Sequence, residues 1–277
     1  MTPDISYAGA TASIISIDYQ DQQSIRKVLI EYQIDTIIST IAGPSPDGFI
    51  TAQESLLRAG LSVPTFRRFS PSNYAFDPEQ LKTVKLYQMK LLIIASLCRA
   101  KQERPNSFEY CRFNGGVYMN YLGYGNTKPD GDKAHGYIGH FPYFVDLSKR
   151  TVDVPGDGEK QIVYTRAEDV EKFVAAASQL EVWEEHGDMA GEVLTINELI
   201  RTCEDVCGAK LNVKYNTREE IVARMDTDPK HIMVNMYLEV CLAFIDGACD
   251  VKRPMNLNKL DVKPMGVREY LEKWWSP

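Results

Sequence analysis

Apolar residues fall at β and helical spacings in alternation along the first half of the chain. Residues 14–19 (Ile-Ile-Ser-Ile-Asp-Tyr) form a β-rich run ending at a turn-prone Asp. Ile25, Val28, Leu29 and Tyr32 then lie on one face of a helix expected over 24–32, capped by Asp21 or a neighbour. Residues 35–42 are nearly all apolar or β-branched, as in a strand covered on both faces of a parallel sheet. Gly43–Gly48 breaks the run, a helix is expected over 50–59 with Gly60 as its C-cap, and 66–69 predicts a strand closed by Ser70-Pro71. A long helix over 78–100 and a strand over 107–113 follow, and then a Gly-, Tyr- and His-rich loop over 114–144. Short connections between alternating strands and helices predict an α/β fold with a doubly wound parallel sheet. The second half mixes a strand and tight turn (151–158), a helix (198–207) and a strand (213–215). This predicts two domains, 1–150 for the sheet and 151–277 for a smaller α+β substrate lobe.

One part of a dinucleotide fold has no counterpart in this pattern. Residues 1–12 contain a single glycine, Gly9, so no G-x-G-x-x-G turn precedes residue 14. A strand, glycine turn and helix take roughly 30 residues.

Charge narrows the partners. A net charge of -7 argues against nucleic acid and anionic membrane surfaces, which call for a basic face. No apolar run approaches the roughly 18 residues of a spanning helix, and Met1–Asp4 lacks the basic start of a secretory signal. A cytoplasmic protein with a small-molecule partner is therefore expected. The six cysteines form no C-x-x-C pair, which predicts free, mostly buried thiols.

Lys90 is the sharpest candidate for chemistry. Its helical neighbours Leu86, Ile93, Ile94 and Leu97 are all apolar. Burial there would lower its pKa and suit it to acid–base work; the other reading is a stem packed on the core with its head in water. Ser70-Pro71-Ser72-Asn73-Tyr74 follows a strand directly, where open α/β sheets bind ligands, although a polar turn would look the same. His135, Tyr137 and His140 share an aromatic, glycine-rich stretch that could cover a flat ligand or stand as ordinary surface residues. Two histidines without a further spaced ligand do not predict a metal site.

The order of these segments resembles the NmrA-like, isoflavone-reductase-like group of atypical short-chain dehydrogenases. Ile17–Asp21, Asp35–Thr40, Phe66–Tyr74, Tyr110–Gly116, Pro155–Gly158, Thr165–Val170, Gly191–Leu199, Gly208–Val213 and Lys263–Leu271 carry the resemblance in sequence over roughly residues 14–275. It is similar to fungal members acting in secondary, small-molecule metabolism. The resemblance implies a Rossmann-like fold, an active-site lysine at Lys90, and NADP(H) as cofactor. Thr40, Ala42, Gly43, Ser70, Pro71 and Ser72 would line the nicotinamide side, and Tyr74, Asn114, Tyr118, His135, Tyr137 and His140 would face substrate. The family's first β-α unit and its glycine turn are not matched, which argues against NADPH binding in the family's manner. A homodimer or a rearranged sheet is expected to cover the place of that central strand. Three functions follow: a cofactor-free isomerase, cyclase or lyase acting on an aromatic or polyketide-like substrate through Lys90; an NADP-dependent oxidoreductase; and a non-catalytic regulator.

Overall fold

A computed structural model describes residues 5–7, 9–42, 46–226, 228–250, 253 and 255–276. The chain divides into two compact units, residues 1–72 with 92–110, and residues 73–91 with 111–277. The two units thus alternate along the chain before residue 111, and every residue from 111 onward belongs to the second, which holds most of the chain.

The first unit opens with a hairpin, β1 (Ile5–Tyr7) and β2 (Ala10–Ala12), paired antiparallel and turning at Gly9, φ +83°. Residues 14–19 do not form a strand, because no neighbouring strand supplies a ladder; Ile17 packs against the unit's core instead. Helix α1 (Gln22–Glu31) starts where Asp21 accepts from the amides of Gln23 and Ser24, and it buries Ile25 and Leu29. Strands β3 (Thr36–Ile38), β4 (Arg68–Ser70) and β5 (Glu109–Tyr110) form a parallel sheet in that order, with α2 (Pro46–Leu61) crossing between the first two. Among the described residues no strand pairs with the other edge of β3. Gly60 lies inside the last turn of α2 rather than capping it, and a Cβ there would sit 2.6 Å from the Phe66 ring. Leu57, Phe66, Phe69, Leu97 and Phe108 fill the core.

Helix α3 (Lys85–Glu103) is shared, its residues up to Leu91 belonging to the second unit. Residues 78–84, expected as helix, form turns; Leu81 and Val84 are fully buried at a spacing that imitates a helical face.

The second unit contains strands β6 (Arg112–Asn114), β7 (Val117–Tyr118), β8 (Val145–Asp146), β9 (Thr151–Pro155), β10 (Gln161–Thr165), β11 (His186–Asp188), β12 (Glu192–Thr195) and β13 (Asn212–Asn216). Its helices are α4 (Asp132–His135), α5 (Ala167–Ser178), α6 (Ile196–Cys207), α7 (Arg218–Ala223), α8 (Ile232–Ile245) and α9 (Val267–Trp275). The stretch expected as a loop over 114–144 thus carries β7, a 3-10 turn over Met119–Gly123, and α4. The strands form three separate sheets, in the orders β12-β10-β7, β11-β6 and β13-β9-β8, with β7–β10, β6–β11 and β9–β13 parallel. A capping box between Thr195 and Glu198 starts α6. The six cysteines are free. No described helix is long and apolar enough to cross a membrane.

Gly116 sets how closely β7 meets β10. It sits at φ +70°, and a Cβ would fall 2.4 Å from the Val163 carbonyl oxygen. Gly116→Ala combines a disfavoured backbone with a clash and is expected to lose about 2–4 kcal/mol, measurable by urea unfolding.

Candidate active site

The first turns of α3 are pinned by α8. The carboxylate of Glu239, itself buried, accepts from the Lys85 amide at 2.8 Å. This fixes the helix start and so the direction of Tyr87 and Lys90, three residues apart on one face. Lys90 is partly buried, with Nζ donating to the Asn73 carbonyl at 3.1 Å and lying 5.0 Å from the centroid of the Tyr87 ring. No ion pair joins it among the described residues. Burial without a counter-ion pulls its pKa down to about 8.

Around Tyr87 lies a wall of aromatic side chains. Tyr121 contacts Tyr118 (ring centroids 6.2 Å), Phe141 (6.0 Å) and Tyr143 (6.2 Å, stacked). Burial raises the pKa of Tyr87, Tyr118, Tyr121 and Tyr143, so their hydroxyls stay protonated at neutral pH. They can donate hydrogen bonds, while Lys90 among them has the pKa nearest neutrality.

The acceptor of Lys90 is held by three rungs between loop 73–77 and β6. Asn73 Nδ2 donates to Asn114 Oδ1 at 2.5 Å, Tyr74 stacks on Phe113, and Arg112 Nη1 donates to Asp77 Oδ1 at 3.1 Å. Tyr74 sits at φ +35°, a left-handed conformation unusual for a bulky residue, of the kind that clusters at functional sites. The parallel register of β6 with β11 adds a second row, opposing Arg112 to His186 and Asn114 to Asp188. Asn114 Nδ2 accordingly donates to Asp188 Oδ1 at 2.7 Å. Arg253 closes the far side, donating to Asp188 (Nε, 2.9 Å) and Asp77 (Nη1, 2.6 Å). A small cleft of about 50 Å³ opens along this edge, lined by Phe76, Asn114, Asp188, Met189 and Arg253 among others; Lys90 does not line it.

Asp77, Glu79 and His186 bring ligand-type atoms within 4.8 Å of one another. All three are instead bonded to the Arg112 guanidinium, which reaches Glu79 Oε2 at 2.8 Å and His186 Nε2 at 2.8 Å. The cation these groups would recruit is already supplied by the protein. Burial and the two arginines lower the His186 pKa, keeping it neutral.

The remaining expected substrate residues separate. Tyr118 belongs to the aromatic wall. His135 stacks on Tyr124 at 4.1 Å and His140 lies 4.5 Å from the same ring, while Tyr137 is fully exposed.

In the first unit, Thr40 and Ala42 are exposed just beyond β3, and Ser70, the last residue of β4, and Pro71 are buried; Gly43 lies outside the described residues. The Ser39 amide donates to the Ser70 carbonyl at 2.8 Å, and the Ser72 amide donates to Gln53 Oε1 at 2.7 Å. Ser39 Oγ, Ser70 Oγ and Gln53 Nε2 are buried without a hydrogen-bond partner among the described residues. Unsatisfied donors at the carboxyl ends of parallel strands fit the polar end of a nicotinamide nucleoside. The phosphate end is served less well, since Asp21 already occupies the start of α1 and Asp47 lies in the first turn of α2. Gln53 was missed in the sequence, yet Phe49, Ile50, Leu56 and Leu57 surround it at helical spacing, the signal that singled out Lys90.

Residues 5–271 match the NmrA-like family. The chain belongs to that family. It is 27% identical over 197 residues to Oxidoreductase BOA1 of Botryotinia fuckeliana, covering 71% of this chain and 62% of that protein. Oxidoreductase swnN of Metarhizium robertsii is 23% identical, covering 74% of this chain and 63% of its own length. The chain thus spans somewhat under two thirds of these relatives. Isoflavone reductase homolog A622 of Nicotiana tabacum is 22% identical, with 89% and 74% covered. Among solved structures, AtPrR2 with NADP+ and (+)pinoresinol superposes at TM-score 0.71 and 19% identity, covering 92% of this chain and 79% of that one. Leucoanthocyanidin reductase from Vitis vinifera gives 0.68 and 19%, with 92% and 83% covered. These likenesses establish a Rossmann-like fold. BOA1 and swnN are named oxidoreductases, and A622 is named an isoflavone reductase homolog.

Proposed function

We propose that this NmrA-like chain is an oxidoreductase-type enzyme acting on a small aromatic substrate, with Lys90 as its general acid/base. The observation that carries the reading is a lysine without a counter-ion, held by one neutral carbonyl beside an aromatic wall, with its pKa near 8. At pH 7 about a tenth of such lysines are neutral and able to take a phenolic or enolic proton. The ammonium so formed donates to the resulting oxyanion and later returns the proton. Protonated Tyr118 and Tyr121 offer stacking faces and hydroxyl donors. NADP+ and (+)pinoresinol accompany the related AtPrR2, and Ser39, Ser70 and Gln53 would hold the polar nicotinamide end here; the cofactor, when bound, supplies hydride. A cofactor-free isomerase, cyclase or lyase is the second reading, favoured by the carboxylates of Asp21 and Asp47 at helix starts where phosphate charge would be unwelcome.

Titrating NADPH while following its fluorescence separates the two readings. Micromolar binding supports the oxidoreductase, and absence of binding together with turnover supports the second. In either case kcat/KM is expected to rise with pH through about 8 and then level, because desolvation lowers the lysine and only its neutral form accepts a proton. A flat profile between pH 6.5 and 9.5 would remove Lys90 as the base.

A further inference from the structure

Every polar link from β11 to Lys90 runs in one direction. Asp188 is only 3% exposed and, held between Arg253 and Asn114, acts as an acceptor. It therefore orients the Asn114 amide with Nδ2 toward itself and Oδ1 toward Asn73. Asn73 must answer with Nδ2, which leaves its own Oδ1 buried and unpartnered among the described residues. That side chain could relieve its orphan acceptor by turning, but Asn114 Oδ1 would then lose its donor. The orientation is thus set two residues away, by a carboxylate on another strand. Asn73 in turn presents its backbone carbonyl to Lys90, and that carbonyl belongs to the peptide unit leading into left-handed Tyr74.

We propose that Asn114 and Asp188 are positioning residues, which fix the Asn73 carbonyl and through it the place and proton affinity of the Lys90 amine. The proposal rests on Lys90 as the acid/base. Lys90 donates to no other described group, so the carbonyl is its single fixed anchor in a desolvated place. The titratable groups near it are Tyr87 on its own helix and, around Tyr87, Tyr118, Tyr121, Tyr143 and Cys249. The tyrosines are held protonated by burial, and none carries a charge that could replace the carbonyl. Loss of the anchor removes a hydrogen bond that favours the ammonium, and the amine becomes neutral more readily.

The test reads Lys90 directly, without needing a substrate. Trace acetylation by acetic anhydride is followed against pH and quantified on the Lys90 peptide by mass spectrometry. In the wild-type chain half-maximal reactivity is expected near pH 8. Asn114→Leu is expected to lower that midpoint by about half a unit, raising the reactive fraction at pH 7 about threefold. Asp188→Leu should do the same, whereas Asp188→Asn keeps an oxygen for Asn114 and should restore the wild-type midpoint. If Asn114→Leu fails to show a cooperative melt, Asn73→Ala removes the same rung from the other side. A midpoint near 8 in the wild type that stays unchanged or rises in the folded variants overturns the positioning role while leaving Lys90 as base. A wild-type midpoint at the ordinary 10.5 would instead remove the acid/base reading, and the variants' displacement from it would still judge the positioning role.

Discussion

Lys90→Met is expected to cut turnover by about 10²–10⁴-fold and to make the protein more stable at pH 7. The two effects share one cause. An ammonium held in a desolvated place with one neutral acceptor strains the folded state, and its pKa records this by falling from 10.5 to about 8. The sign follows from proton counts. Between pH 8 and 10.5 the unfolded lysine binds a proton that the folded one has released, so wild-type stability rises with pH across that window. Below pH 8 both states are charged and the full penalty is present. Methionine matches the stem, loses the charge and gives up one hydrogen bond of about 1 kcal/mol. Because Lys90 keeps some contact with solvent, a net gain of about 1–2 kcal/mol is expected at pH 7, shrinking toward zero by pH 10.5. Urea melts of wild type and variant at pH 7 and pH 10 would show it. A variant that loses both activity and stability would mean that Lys90 is a packing residue. A gain in stability with lost turnover is the pattern of a functional residue that is locally unfavourable to folding.

Lys90 was legible in the sequence because a single charge on an apolar helical stripe breaks a local rule, and Gln53 breaks the same rule in α2. The β3-α2-β4 alternation was legible because the β-branched run over 35–42 and the apolar face of α2 keep different periods, although β3 itself is only half-buried. Residues 14–19 show the limit of that reasoning. Their β-branched side chains suit a strand, but a strand also needs a partner, and partners are a tertiary property. Residues 78–84 imitate a helix through buried Leu81 and Val84, and their turns appear only once Asp77 is seen accepting from the amides of Gln80 and Leu81. The polar platform beneath Lys90 was the least legible part. Asn114 and Asp188 lie 74 residues apart, and only the register of β6 on β11 makes them neighbours. Arg253 joins them from a further stretch of chain with no periodic signal. Residues 135–140 attracted notice through composition, yet His135 and His140 turn toward Tyr124 while Tyr137 faces solvent.

Arg112→Met is expected to destabilise the second unit by about 3–5 kcal/mol, the largest loss of any substitution proposed for this chain. Arg112 is 2% exposed, and its guanidinium bonds Asp77, Glu79 and His186 together. Methionine would fill much of the volume, so the cavity contribution is small and the electrostatic one dominates. Asp77, also 2% exposed at its side chain, would keep Arg253 as its remaining cationic partner, and Arg253 is also engaged by Asp188. His186 supplies a second readout. Arg112 contributes to lowering its pKa, so removal of that charge should raise the imidazole toward its ordinary value, visible by NMR titration of the ring protons. Asp77→Asn in the Arg112→Met background removes the uncompensated carboxylate and should return part of the loss, as expected when the cost lies in a buried charge rather than in packing. A double variant no more stable than Arg112→Met alone would assign the loss to the guanidinium's bonds with Glu79 and His186. Because Arg112 and Asn114 stand on the same short strand, the fall in stability should be accompanied by a shift in the Lys90 titration midpoint, linking the ionic end of the platform to the lysine it supports.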